Sequence, residues 1–132
     1  MIRLLLAAIA IVLYLVLTFP VLCFLEKKAK KNPEEAGWKS FSMVRWIFKK
    51  ISRIAGITYE VRGLENIHTD RAVLYVGNHR SYFDILIGYV TVPDLTGVVA
   101  KKEMERYYLL RDGMRNVNCL FLDRDNIKEG LK

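Results

Sequence analysis

The chain has 132 residues and a formal net charge of +7 at pH 7, and 52% of its residues are hydrophobic. This length is enough for one domain, whereas the apolar fraction is slightly high for a soluble domain and indicates a segment outside the soluble core. The positive charge fits a nucleic acid or an anionic membrane surface as partner. The sequence carries no RNA- or DNA-binding signature, so we expect no nucleic-acid partner and favour membrane phospholipids.

The first predicted element is an apolar run from Leu4 to Leu25, which contains 22 residues and no charge. About 20 apolar residues are needed to cross a bilayer as a helix. A cleaved signal peptide is the alternative, but its apolar region spans roughly 7–15 residues and ends in small residues. Here a Glu-Lys-Lys sequence follows the run. We therefore predict an uncleaved transmembrane anchor over residues 1–26.

Positive charges are unevenly distributed around this run. Arg3 precedes it, and four lysines follow it closely: Lys27, Lys28, Lys30 and Lys31. Because cationic flanks of membrane helices stay in the cytoplasm, we predict a single-pass protein whose C-terminal part lies on the cytoplasmic face. Thiols are kept reduced in that compartment, so Cys23 and Cys119 are predicted to be unpaired.

Residues 27–56 are predicted to form a basic linker, up to Gly37, and then an amphipathic helix that ends at Gly56. Apolar residues recur there at steps of three and four positions: Trp38, Phe41, Val44, Ile47, Phe48, Ile51, Ile54 and Ala55. Such a helix either lies in the headgroup plane of a membrane or packs its apolar face on the domain core. The sequence leaves both arrangements open.

From residue 57 onward, β-rich segments alternate with helical ones. The predicted strands cover residues 57–61, 72–76, 96–100 and 118–122. Between them, one helix is capped by Ser81 or Asp84 and ends near Pro93, and a second covers residues 101–113. Strands that alternate with helices predict an α/β fold with a mixed or parallel sheet in a domain over residues 57–132.

The segment "NHRSYFD", residues 78–84, lies where the second predicted strand meets the following helix. On a regular helix His79 and Asp84 would point about 140° apart, but a loop before the helix can bring them together. The carboxylate can then orient the imidazole, which is the base–orienter half of a catalytic triad. A substrate hydroxyl would supply the missing nucleophile. The alternative is an ordinary turn histidine followed by a helix-capping aspartate.

This segment and its surroundings resemble the glycerolipid acyltransferases, the 1-acylglycerol-3-phosphate acyltransferase (PlsC-like) family, whose signature is Asn-His-x4-Asp. The resemblance also extends to "ITYEVRGLENI", "VVAKKEM" and "NCLFLDRDN" in the same order. Asn118 stands where the family's second block usually has glycine. The family's later Glu-Gly-Thr-Arg block is not found, so we expect the chain to carry only the first half of a mixed-sheet acyltransferase domain, after its transmembrane and amphipathic helices.

The resemblance implies acyl transfer from acyl-CoA or acyl carrier protein to the free hydroxyl of a lysophospholipid acceptor. His79 would be the base, and Asp84 would orient it. Arg124 would hold the acceptor's phosphate, and the remaining substrate-binding residues would be Asn78, Arg80, Ser81 and Lys101. The first three of these would shape the loop, and the lysine would add positive charge. No cofactor is expected beyond the acyl donor.

Two further hypotheses remain from the sequence. The anchor, the lysine-rich linker and the basic helix are sufficient for a non-catalytic module that binds a membrane surface. Alternatively, His79 and Asp84 bind a metal ion, although no further ligands stand at a suitable spacing.

Overall fold

The computed structural model describes residues 2–123, and within them α-helices dominate. The elements in chain order are α1 (Ile2–Ala29), α2 (Pro33–Ala55), a 3₁₀ turn (Leu64–Asn66), α3 (Tyr82–Thr91), β1 (Val99–Lys101), a second 3₁₀ segment (Lys102–Arg106), α4 (Tyr108–Asn116) and β2 (Leu120–Leu122). The strands β1 and β2 are parallel, with Val99 opposite Leu120. The arrangement is broadly compatible with the predicted α/β class, but its sheet is small.

The two N-terminal helices are joined by a short turn, so the predicted linker over residues 27–37 is wrong for most of its length. The cause is a strong start signal for α2. The side-chain oxygen of Asn32 accepts from the backbone N–H of Glu35 (3.3 Å), and Pro33 takes the first helical position. An Asn cap followed by proline favours helix from that point, and α1 continues to Ala29 on the other side.

Helix α2 runs back along α1 and ends where the sequence predicts. Gly56 follows it with φ of 72°, in the left-handed region that glycine adopts without steric cost. Phe41, Ile47 and Ile51 are buried on its inner face. The apolar face of α2 therefore packs on the rest of the protein, while Trp46 remains exposed at the edge of that face, with its ring 6.4 Å from the ring of Tyr14 on α1.

Two clusters of buried side chains hold the helices together. The first joins α1, α2 and α3 and consists of Ala7, Ile47, Ile51 and Leu86. The second joins α2 and α3 to the segment between α4 and β2, and consists of Phe41, Tyr89, Val117 and Cys119. In the second cluster the rings of Phe41 and Tyr89 lie 5.8 Å apart, so α3 is fixed to α2 through aromatic contact. Cys119 is free and buried, as predicted, whereas the free Cys23 is half-buried.

Two of the four predicted strands are absent from the described residues. Residues 57–61 form no strand, and residues 72–76 form an unpaired segment in which Leu74 is 85% and Val76 is 86% exposed. A strand requires a hydrogen-bonded neighbour, and within residues 2–123 only β1 and β2 pair. Apolar and β-branched composition alone does not supply that neighbour.

The other two strands and the helix between them form with shifted bounds. β2 lies within the predicted range, and β1 overlaps its predicted range at residues 99–100 but extends to Lys101. The predicted helix over residues 101–113 divides into the 3₁₀ segment and α4. After α4, Asn118 has φ of 60° and therefore lies in the left-handed region. This conformation explains why glycine suits the position and why asparagine, which tolerates it better than most residues, can replace it.

Helix α1 is the described helix that is long and apolar enough to cross a membrane, with a mean hydropathy of 2.7. It does not stand apart from the domain. Near its start, the Arg3 guanidinium lies so close to Gly56 that a Cβ there would be 2.7 Å from Nη1. Further along, the Phe19 and Tyr108 rings are 6.0 Å apart. The same domain therefore contacts α1 along most of its length.

Candidate functional site

The start of α3 is built by a reciprocal pair of side-chain hydrogen bonds. Ser81 is the N-cap residue, and its hydroxyl oxygen accepts from the backbone N–H of Phe83 (3.3 Å). Three residues later, the Asp84 carboxylate reaches back to the backbone N–H of Ser81 (2.8 Å). This capping box satisfies amides that a helix start leaves without partners, and it fixes the direction in which the chain enters α3.

The same carboxylate binds a second amide and contacts an imidazole. Asp84 Oδ2 accepts from the backbone N–H of Arg80 (2.7 Å) and lies 3.3 Å from Nδ1 of His79. The hydrogen bonds from the Arg80 and Ser81 amides, followed by the interaction with His79, hold the pKa of Asp84 below its usual value. The carboxylate is therefore ionised at neutral pH and faces the imidazole as an anion.

This geometry gives His79 a defined orientation. An anionic acceptor beside Nδ1 favours the tautomer with hydrogen on that nitrogen, which leaves Nε2 with its lone pair. The side chains of His79 and Asp84 are 55% and 44% exposed, so a substrate can approach the pair directly. One carboxylate thus both caps the helix and faces the histidine, so the observed cap is compatible with the predicted base–orienter role.

Within residues 2–123, the side chains of the predicted binding residues other than Ser81 make no bond to His79 or Asp84. Asn78 and Arg80 are exposed, and within residues 2–123 their side chains form no hydrogen bond or ion pair. Lys101 is exposed at the end of β1, opposite Leu122, and makes no bond to the His79–Asp84 pair. Arg124 lies outside the described residues.

A cavity of about 670 Å³ lies beside Phe83, which precedes Asp84 in the chain, and was not foreseen from the sequence. Its lining residues are Ile2, Arg3, Leu4, Ala55, Ile57 and Phe83. Phe83 belongs to the capped turn itself, so the cavity and the His79–Asp84 pair share one short segment. The sequence offers no signal for this cavity, because its lining combines the start of α1 with the end of α2. These two segments are about fifty positions apart in the chain.

Comparisons with known proteins match this part of the chain. The model of a family described as "Acyltransferase" matches residues 58–132. A protein of Mycoplasma pneumoniae (strain ATCC 29342 / M129 / Subtype 1), named "Probable 1-acyl-sn-glycerol-3-phosphate acyltransferase", is 31% identical over 94 residues. The alignment covers 62% of this chain and 35% of the relative, so the chain spans about a third of that protein's length. No solved structure matches.

Proposed function

Because the chain belongs to the acyltransferase family, we propose that its His79–Asp84 pair transfers an acyl group from acyl-CoA or acyl carrier protein to a lysophospholipid. The proposed acceptor is 1-acylglycerol-3-phosphate, and the product is phosphatidate. The name of the Mycoplasma relative supports this choice of acceptor. The observation that carries the proposal is the 3.3 Å approach of an ionised Asp84 carboxylate to Nδ1 of an exposed histidine.

In the proposed reaction, Nε2 of His79 removes the proton from the acceptor's free hydroxyl. The resulting oxygen nucleophile attacks the thioester carbonyl carbon and forms a tetrahedral intermediate. Collapse of that intermediate breaks the carbon–sulfur bond, and the imidazolium returns the proton to the departing thiolate. Asp84 stabilises the imidazolium between these two transfers, as the carboxylate of a catalytic triad does.

Several residues are proposed to hold the acceptor rather than to react. Arg124 is proposed to bind its phosphate, because a planar guanidinium matches a phosphate with two parallel hydrogen bonds. Lys101 is proposed to add positive charge to the same region. The side chains of Asn78 and Arg80 are unengaged within residues 2–123 and are therefore available to a ligand. Ser81 is proposed to contribute by fixing the loop.

In place of the predicted single-pass crossing, we also propose that α1 attaches the protein to the cytoplasmic face of a membrane, whose anionic leaflet attracts the lysines that follow the helix. A helix that crosses the bilayer would place its two ends on opposite sides, yet the same domain contacts Arg3 and Phe19. Crossing would also carry the lysines of α2 into the lipid, at roughly 2.5–3.5 kcal/mol each near the centre. These contacts favour a helix that lies along the membrane with its exposed apolar face in the lipid.

The decisive experiment measures transfer of a radiolabelled acyl group from acyl-CoA, and separately from acyl carrier protein, to lysophosphatidate in vesicles that contain the full chain. His79→Ala should abolish transfer. The matched control is His68→Ala, since His68 is the chain's other histidine and also lies near an aspartate, with Nδ1 3.8 Å from Oδ1 of Asp70. The control should retain transfer.

Equal transfer by the wild-type chain and His79→Ala would remove His79 from the chemistry. Absence of transfer in every variant would instead favour the second candidate, a non-catalytic module that binds a membrane surface. That candidate is supported by the exposed apolar face of α1 and by the basic exposed face of α2. It predicts that membrane binding survives substitution of both His79 and Asp84.

A further inference from the structure

A second cavity of about 670 Å³ lies as an open groove between α1 and α2. Each wall is one stripe of a helix, with residues three or four positions apart. The lining residues are Ala10, Leu13, Tyr14, Leu17 and Thr18 on α1, and Lys39, Ser42, Met43, Trp46, Ile47 and Lys50 on α2. The volume falls within the range of about 300–1,000 Å³ that is usual for ligand sites.

The walls of this groove are almost entirely apolar in character. Its two aliphatic hydroxyl groups are used within their own helices: Thr18 donates to the backbone oxygen of Tyr14 (2.6 Å), and Ser42 donates to that of Trp38 (2.8 Å). Leu13 and Leu17 are exposed at the rim and continue into the exposed apolar face of α1. A hydrocarbon chain can therefore lie in the groove without breaking either bond. The hydroxyl of Tyr14, which also lines the groove, is buried without a hydrogen-bond partner among residues 2–123 whether or not the hydrocarbon chain is present.

The charged groups of the lining are two lysines, one at each end of the α2 stripe. Lys39 and Lys50 are eleven positions apart, which corresponds to about 16 Å along a helix. Neither forms an ion pair with a carboxylate of residues 2–123, and no acidic residue lines the groove. The Lys50 ammonium lies 5.6 Å from the centre of the Trp46 ring, which holds it over the groove wall.

We propose that this groove binds an anionic phospholipid of the membrane, with an acyl chain along the two helices and the headgroup phosphate at one of the lysines. The combination of an apolar channel with unpaired cations at its ends matches an amphiphile that carries a negative charge. A second copy of the chain is a poorer occupant, because it would bring the same basic helix against Lys39 and Lys50 and repel it. The proposal depends on membrane attachment through α1 but not on acyl transfer.

Trp46 offers a direct probe of occupancy, because it lines the groove and Trp38 is the chain's other tryptophan. The full chain with Trp38→Phe is reconstituted in phosphatidylcholine vesicles that contain a minority of phosphatidylglycerol. Brominated acyl chains, which quench tryptophan fluorescence, are placed on one lipid or the other. We expect brominated phosphatidylglycerol to quench Trp46 well beyond its share of the lipid.

The lysines are tested with two pairs of substitutions that remove equal charge from α2. Lys39→Gln with Lys50→Gln should lower the preference for phosphatidylglycerol by at least about tenfold more than the control pair does, which is the loss expected from one charge-assisted hydrogen bond to the headgroup phosphate. Lys49→Gln with Arg53→Gln is the matched control, since both residues are exposed on α2 and absent from the groove lining. Lys39→Arg with Lys50→Arg should keep the preference.

Three results would overturn the proposal. Quenching in proportion to lipid composition would mean that bulk lipid wets the groove without selectivity. An equal loss of the phosphatidylglycerol preference in the groove pair and the control pair would mean that the preference reflects general surface charge and not the groove. Absence of quenching by either brominated lipid would mean that protein, from this chain or a second copy, covers the groove.

Discussion

The turn at residues 79–84 and the strand pair β1–β2 depend on contacts of very different range. Every bond that fixes His79 and Asp84 joins residues no more than five positions apart. The strand pair joins Val99 to Leu120, and the adjoining core cluster adds Phe41 from α2. The reacting groups are thus placed by local structure, whereas the surroundings that would receive a substrate depend on the whole chain. Four measurements test this contrast.

The largest expected effect comes from separating the two roles of Asp84. Asp84→Asn keeps an oxygen that can accept from the amides of Arg80 and Ser81 but removes the negative charge beside His79. We expect acyl transfer to fall by about 10²- to 10⁴-fold while the helical circular dichroism is retained. Asp84→Ala should lose both the transfer and the cap. If Asp84→Asn keeps full activity in the vesicle assay, the carboxylate acts only as a cap.

The long-range region should respond to Phe41→Ala chiefly through stability. Phe41 is 1% exposed and packs against Tyr89, Val117 and Cys119, so truncation leaves a cavity between α2 and α3. We expect a loss of about 3–5 kcal/mol in the free energy of unfolding, measured with denaturant in detergent. Phe24→Ala is the control, because Phe24 is exposed on α1. Similar losses from both substitutions would contradict the described core.

A smaller effect is expected at Asn118, where the chain enters β2. With φ of 60°, alanine would be held in the left-handed region at a cost of about 1 kcal/mol. Asn118→Gly should stay within about 0.5 kcal/mol of the wild type, since glycine adopts this conformation freely. The free energies of unfolding of the two variants distinguish backbone strain from loss of a side-chain contact. Equal destabilisation would exclude strain as the cause.

The smallest effect concerns the pH dependence of the cap. The pKa of Asp84 is lowered in the folded chain, so its contribution to stability is present above the usual aspartate pKa of about 3.9 and is lost as the pH falls through the lower, folded value. The amide proton shifts of Arg80 and Ser81 should therefore titrate below about pH 4. They should stay constant over the same range in Asp84→Asn. Titration in that variant would assign the shifts to another group.

The contrast in range also explains which features the sequence predicted. The capping residues of α3 and the glycine that ends α2 are encoded within one or two helical turns, the apolar length of α1 is one contiguous run of sequence, and each is observed. The left-handed conformation of Asn118, which was not predicted, is also a property of a single residue. His79 and Asp84 could be paired in advance for the same reason.

The missing strands and the unforeseen cavities share the opposite property, whereas the linker prediction failed at a local signal, the Asn32 cap before Pro33. The runs at residues 57–61 and 72–76 have strand composition, but a strand exists only when another strand bonds to it, and no local pattern specifies that partner. The cavity beside Phe83 was missed because its walls come from the two ends of a helix pair. The groove between α1 and α2 was also missed, because the lining residues of each helix, taken alone, have the pattern of an ordinary helix face.

The double use of the Asp84 carboxylate has a consequence for how the protein is made. Chains leave the ribosome at about 5–20 residues per second, so His79 and Asp84 emerge within about a second of each other. A turn closed over five positions forms far faster than that, on a scale of nanoseconds to microseconds. The histidine can therefore meet its partner as soon as the first turn of α3 forms, before Val99 and Leu120 have emerged. During synthesis this local pair can form ahead of the sheet, whose strands lie further along the chain.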